Sequence, residues 1–234
     1  MSPSAPDPDI AVVDDLPVDA THHDVDALLR AAGWTHCGTG DWAWALRSPG
    51  GRTVARISPF DPAAPYSAAL YRRASSTGQV PGLLGHRVLA GGGDLTLMEY
   101  LEPVPEPEAA AFHRSIAAGA PDVAVLAAHI ASVHALGAAE QPWWGPLDDN
   151  PANVMRGRDG RLVVADLFYA DGPDLYRTVR DDPDRVARAY PEHLRRFMTE
   201  LPLASSGGWP AGDAESMRAA MAAADARLSG PGGR

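Results

Sequence analysis

The spacing of apolar positions along this chain changes period several times, and each change marks a predicted element. Val25, Leu28 and Leu29 share one helical face between Asp24 and Ala32, and Gly33 stops the run. A strand-like pattern holds from Trp34 to Pro59, predicting three strands. They are separated by the turns Gly38-Thr39-Gly40-Asp41-Trp42-Ala43 and Ser48-Pro49-Gly50-Gly51, and the third strand is Thr53 to Ile57. Residues 66–76 read as a helix closed by Gly78, and Val80 to Gly85 as a loop. His86–Ala90 and Leu95–Tyr100 read as two strands about Gly91-Gly92-Gly93-Asp94.

Helical composition returns over 108–118 and 122–136, the second with Val123, Leu126, Ile130 and Val133 on one face. Further on, a loop from Tyr169 enters a helix with Asp174 as its cap. Residues 185–198 predict another helix, 205–210 a break, and 214–228 a last helix. Residues 1–20 carry Pro3, Pro6, Pro8 and Pro17 among several Asp and few large apolar groups, which predicts a mobile tail. Residues 230–234 are expected to behave likewise, and no internal repeat is present.

One stretch carries most of the chemistry. Asp148-Asp149-Asn150-Pro151-Ala152-Asn153-Val154-Met155 is followed by Gly157-Arg158-Asp159-Gly160 and then Leu162 to Phe168. Asp-Gly supplies the positive φ of a hairpin tip. Such a hairpin returns the end of its second strand to the start of its first, so Asp148, Asn153 and Asp166 would converge. They would offer hard oxygen ligands suited to Mg²⁺ beside a carboxylate able to orient a hydroxyl.

An Asp five residues before an Asn, then a hairpin, then a second Asp resembles the catalytic core of the protein-kinase-like superfamily. The likeness is greater to its aminoglycoside and small-molecule phosphotransferase branch. The resemblance implies an α+β, two-lobed protein-kinase-like fold with an N-terminal antiparallel sheet lobe and a mainly helical C-terminal lobe. The expected division is a tail over 1–20, a nucleotide-binding lobe over 21–101, a catalytic lobe over 102–229 and a tail over 230–234. It implies Asp148 as the catalytic residue and Asn153 and Asp166 as metal ligands, with ATP and Mg²⁺ as cofactors. Gly38 and Gly40 stand where a Gly-rich turn covers phosphates, and Arg56 where the third strand's basic residue grips them. Glu99 and Leu101 fall at the hinge between lobes, where backbone groups meet the adenine. His134 corresponds to a packed histidine ahead of the catalytic loop.

The chain departs from that pattern in three places. Pro146 replaces the loop's usual His, and Leu167-Phe168 replaces the Phe-Gly after the metal Asp. No Glu or Asp lies between Pro62 and Gln79, so the helix that should pair with Arg56 offers no acid. These departures keep a second reading open, a pseudokinase acting as a nucleotide-binding or regulatory module. The first reading is transfer of the γ-phosphate to a hydroxyl of a small molecule, with a peptide or protein acceptor as an alternative.

Composition narrows the field. The 234 residues suit one two-lobed domain or two small domains, and 45% hydrophobic content is enough for a sizeable core. A net charge of −10 argues against nucleic acid as a partner. Every basic residue other than His is Arg, which rules out a phosphate loop that needs Lys. The single Cys37 forms no internal disulfide and fits a reducing cytosol. With no membrane-spanning apolar run and no basic-then-apolar leader, a soluble cytoplasmic protein is expected. His22 and His23 open the first helix; adjacent helical positions seldom share one ion, and both are expected to face solvent. His129 and His134, five residues apart, do not share a helix face and are not expected to form a metal pair. The acceptor and the oligomeric state stay open.

Overall fold

Three hydrophobic clusters organise the chain, and each element forms around the cluster that its apolar face serves. The computed structural model describes residues 8–230. The first half runs α1 (Pro8–Ala11), α2 (His22–Ala31), β1 (Thr35–Thr39), β2 (Trp44–Arg47), β3 (Thr53–Ser58), α3 (Ala64–Arg73), β4 (Leu83–Val88) and β5 (Asp94–Glu99). The second half runs β6 (Glu102–Pro103), α4 (Glu106–Ala117), α5 (Ala124–Glu140), β7 (Val154–Arg156), β8 (Leu162–Val164), α6 (Gly172–Asp181), α7 (Pro183–Ala189) and α8 (Asp213–Ser229). Strands β1 to β5 form an antiparallel sheet in the order β1-β2-β3-β5-β4, and β6-β7-β8 form a second, small sheet. The architecture is two-lobed α+β, with an antiparallel sheet lobe followed by a mainly helical lobe.

Under the sheet, Val25 and Leu29 of α2 pack on Leu46, Ala55, Ile57, Leu95 and Leu97. A capping box starts α2, with Thr21 and Asp24 each accepting the other's backbone N–H. The mobile tail expected over 1–20 is corrected in part. Leu16 and Ala20 are buried in this same cluster, and Ile10, Val12 and Val13 pack against it. Few apolar groups suffice there because they close the edge of a core that already exists. Residues 1–7, and 231–234 of the expected C-terminal tail, lie outside the described residues.

The second cluster joins α3 to α5 and to the β7–β8 hairpin through Tyr71, Ile130, Val133, Val154 and Val164. The third gathers α6, α7 and α8 around Trp143, and Phe60, just past β3, reaches into it.

Three local expectations change. Strand β4 begins at Leu83, paired with Met98, inside the segment read as a loop. The helix expected over 185–198 is divided. Tyr190 is extended (φ −123°, ψ 98°) after α7, and a separate turn covers Glu192–Leu194. Pro191 is the cause, because a proline pushes the residue before it out of the helical region. Asp171, rather than Asp174, caps α6 by accepting the Asp174 N–H at 2.9 Å. Pro173 occupies the first turn, so the cap must precede it. Among the described residues no helix is long and apolar enough to cross a membrane.

Candidate active site

A cleft of about 630 Å³ lies between the sheet lobe and the β7–β8 hairpin. Gly38, Gly40 and Arg56 line it from the sheet, and Glu99 and Leu101 from the connection between lobes. Asp148, Asn153 and Asp166 line it from the hairpin side. The fold thus brings every residue singled out for this chemistry to one cavity.

The hairpin sets the floor. Val154 pairs with Val164, which places Asn153 beside Ala165 and Asp166. The Ala165 N–H donates to the Asn153 carbonyl at 2.8 Å, and Asn153 Nδ2 donates to the Asp166 carbonyl at 3.1 Å. With its amide nitrogen committed, Asn153 has its side-chain oxygen as the atom for a cation. Asp166 sits in the left-handed region at φ 46°, a conformation that Asp tolerates better than most residues. Its N–H donates to the Tyr71 hydroxyl at 3.2 Å, and its side chain stays 45% exposed. Asn153 and Asp166 thus both line the cleft floor with oxygen-bearing side chains, donors of a kind that suits Mg²⁺.

Asp148 belongs to a loop tied down by backbone. Its N–H donates to the Leu167 carbonyl at 3.0 Å, and its carboxylate accepts the Asn150 N–H at 2.9 Å. The Gly145 N–H bonds Tyr169 and the Asp171 N–H bonds Trp143, so this loop runs antiparallel to the segment after β8. Where Pro146 takes the usual place of His, support comes from α5. His134 Nε2 lies 3.2 Å from the Gly145 carbonyl, and its ring packs 5.8 Å from Trp144. Gly137 completes the seat, since a Cβ there would fall 2.4 Å from the Trp144 ring.

Arg56 does have a partner, one the sequence had not revealed. Its guanidinium lies 2.9 Å from Asp61 through Nη2 and 3.3 Å from Asp166 through Nε. Asp61 precedes α3 and accepts the N–H groups of Ala63 and Ala64 at 2.9 and 3.0 Å, so one carboxylate both caps the helix and pairs with the arginine. Burial by itself would lower the Arg56 pKa, but Asp166, then Asp61 and Asp94, raise it above its ordinary value. Burial pushes the Asp61 carboxyl up, against the pull of Arg56. The signal that could have found Asp61 was Phe60-Asp61-Pro62, an acid just ahead of a proline-led helix.

The Gly-rich turn forms the roof. A Cβ added to Gly38 would meet nothing within 4 Å, and one on Gly40 only the Ala43 carbonyl at 3.8 Å. Side chains at these two positions would extend into open space beside the cleft. Asp41 fastens the turn to the far end of the chain. Its carboxylate accepts the Ser205 N–H at 2.6 Å, the Ser206 N–H at 3.0 Å and the Ser206 hydroxyl at 2.6 Å. At the hinge, the Glu99 N–H donates to the Gly82 carbonyl at 3.0 Å, and its carboxylate pairs with Arg161. The Glu99 amide is thus already engaged within the protein.

No family model matches the sequence, and no curated protein matches it. Among solved structures, the chain is similar to macrolide 2'-phosphotransferase MphH from Brachybacterium faecium, with 17% identity, coverage of 89% of this chain and 100% of that one, and a TM-score of 0.35. It is similar to aminoglycoside phosphotransferase APH(3'')-Id from Streptomyces rimosus, with 19% identity, coverage of 86% and 98%, and a TM-score of 0.31. The PknI kinase domain of M. tuberculosis is similar at 18% identity and a TM-score of 0.31, and the chain spans 60% of that domain's length.

Proposed function

We propose that this protein is an ATP- and Mg²⁺-dependent phosphotransferase that moves the γ-phosphate to a hydroxyl of a small molecule. One observation carries the reading. Asp148, Asn153 and Asp166 are held by a single hairpin-and-loop unit at the floor of a cleft whose opposite wall presents a paired Arg56.

Phosphoryl transfer asks a protein mainly for placement and charge compensation. Arg56, fixed by Asp61, holds phosphate oxygens in a set orientation. The turn from Gly38 to Ala43 leaves its backbone open to the triphosphate. Asp148, steadied by Leu167 and Asn150, orients the acceptor hydroxyl and takes its proton. Asn153 and Asp166 would hold the Mg²⁺, which would supply charge neutralisation for the phosphates. Trp42, Tyr169 and Ser205 also line the cleft, and walls on this scale suit a small acceptor better than a folded protein.

A second reading, nucleotide binding without turnover, is favoured by the 3.3 Å contact of Arg56 with Asp166, which neutralises the carboxylate that a cation would need. The deciding measurement is release of the γ-phosphate with Mg²⁺ for the native protein and Asp148→Asn. Removal of the general base should lower kcat by about 100-fold or more. Equal turnover by both proteins would reject the role given to Asp148. A thermal shift with ATP and Mg²⁺ but no turnover in either would favour the second reading.

A further inference from the structure

Glu200 lies in the segment after α7, and outside the cleft it meets the pair of histidines expected to face solvent. That expectation fails for His22, which is 1% exposed. We propose that His22, His23 and Glu200 form a site for a transition-metal ion of the Zn²⁺ class, fastening α2 to the segment that follows α7.

The geometry is the first support. Glu200 Oε2 lies 3.2 Å from His22 Nε2 and 2.9 Å from His23 Nε2, and the ligand atoms of the three residues all fall within 4.8 Å of one another. A tetrahedral ion with bonds of about 2.0–2.1 Å needs ligand atoms about 3.3 Å apart, so small rotamer adjustments suffice. Adjacent histidines reach one point here because they occupy the first turn of α2, with rings 3.9 Å apart between centroids.

Burial is the second support. His22 is enclosed, and its Nε2, the nitrogen a shared ion would take, faces Glu200. Phe197 closes the site with an apolar wall, its ring 4.7 Å from His22 and 5.7 Å from His23. The chemistry of the donors is the third. Two imidazoles and a carboxylate select Zn²⁺ over Mg²⁺ or Ca²⁺. His23 is 64% exposed and opens onto a depression of about 370 Å³ that Asp26 and His36 also line, so water can complete the coordination.

The consequence follows the chain. Leu194 and Phe197 pack against Gly92 and Gly91 at the tip between β4 and β5, and Ser205 and Ser206 hold Asp41. An ion at Glu200 would therefore pin the middle of a strap whose end steadies the Gly-rich turn.

The test is calorimetric titration of chelator-stripped, full-length protein with Zn²⁺ in excess Mg²⁺, which occupies hard-oxygen sites. One Zn²⁺ per chain and a higher Tm are expected. His23→Ala and Glu200→Gln should each weaken Zn²⁺ binding by about tenfold or more. His23 is largely exposed, so its variant should keep the fold by circular dichroism and the thermal shift with ATP and Mg²⁺. No Zn²⁺ binding by the native protein would overturn the proposal. So would a stoichiometry and affinity unchanged in both folded variants, which would place the ion elsewhere.

Discussion

Arg56 touches two carboxylates that differ in kind. The Asp61 side chain is 6% exposed and the Asp166 side chain 45% exposed. The first pair is dry and fixed, while the second is open to water and can exchange its partner for a ligand. Asp61→Asn keeps a carbonyl oxygen to cap Ala63 and Ala64 but removes the charge that compensates a largely buried guanidinium. Because Asp166 remains nearby, the loss falls below that of a fully unpaired buried charge, at about 2–3 kcal/mol. Urea unfolding should show this as a lower midpoint with an unchanged slope. A midpoint shift equivalent to less than about 0.5 kcal/mol would remove Asp61 from its assigned role. The absence of an acid within α3 therefore does not leave Arg56 unmatched; the acid sits just ahead of the helix.

At the scale of elements, α5 decides where the loop before Asp148 can lie. Gly137 is a poor helix residue, and alanine there would gain about 1 kcal/mol of helix propensity if nothing opposed it. The Trp144 ring opposes it, since a Cβ at this position would lie 2.4 Å from Cζ2. Gly137→Ala should destabilise the protein by about 1–3 kcal/mol and, under the proposed function, slow γ-phosphate release through the displaced loop. Thermal unfolding together with a phosphate-release assay reads both, and a variant more stable than the native protein would refute the packing argument. The β7–β8 hairpin was legible in the sequence because its determinants are local: an Asp-Gly tip and short apolar runs on either side. The same locality brought Asp148, Asn153 and Asp166 within one window. What escaped depends on distance or on a single residue at an element's end. Glu200 is 178 positions from His22, and Ser206 is 165 from Asp41. Pro191 and Pro173 moved a helix end and a cap by rules that periodicity does not register.

At the scale of the molecule, the lobes are joined by more than the chain between them. Tyr71 accepts from Asp166, Gln79 from Val164, and Gly51 from Arg158, each bond crossing from the sheet side to the hairpin side. The strap from Leu194 to Ser206 adds a crossing on the Gly-rich turn, and its terminal latch is electrostatic. Burial pushes the Asp41 carboxyl up, but the Ser206 hydroxyl and the Ser205 and Ser206 amides more than offset this and hold it below its usual value. A depressed folded pKa has a definite sign. The latch contributes its full stability above the unfolded carboxylate value of about 3.9 and loses it as pH falls through the lower, folded value. Above that window the strap stays on the turn. Below it the protonated carboxyl gives up its charge-assisted bonds, and Ser205 and Ser206 should loosen from the roof of the cleft, while Leu203 and Ala204 keep their backbone bonds to Asp41 and Gly40. The amide resonances of Ser205 and Ser206 should therefore titrate together with a midpoint below about 3.9, and Asp41→Asn should abolish that step. A midpoint at or above that value, or a step that survives the substitution, would mean that another group controls the strap and that Asp41 is a bystander.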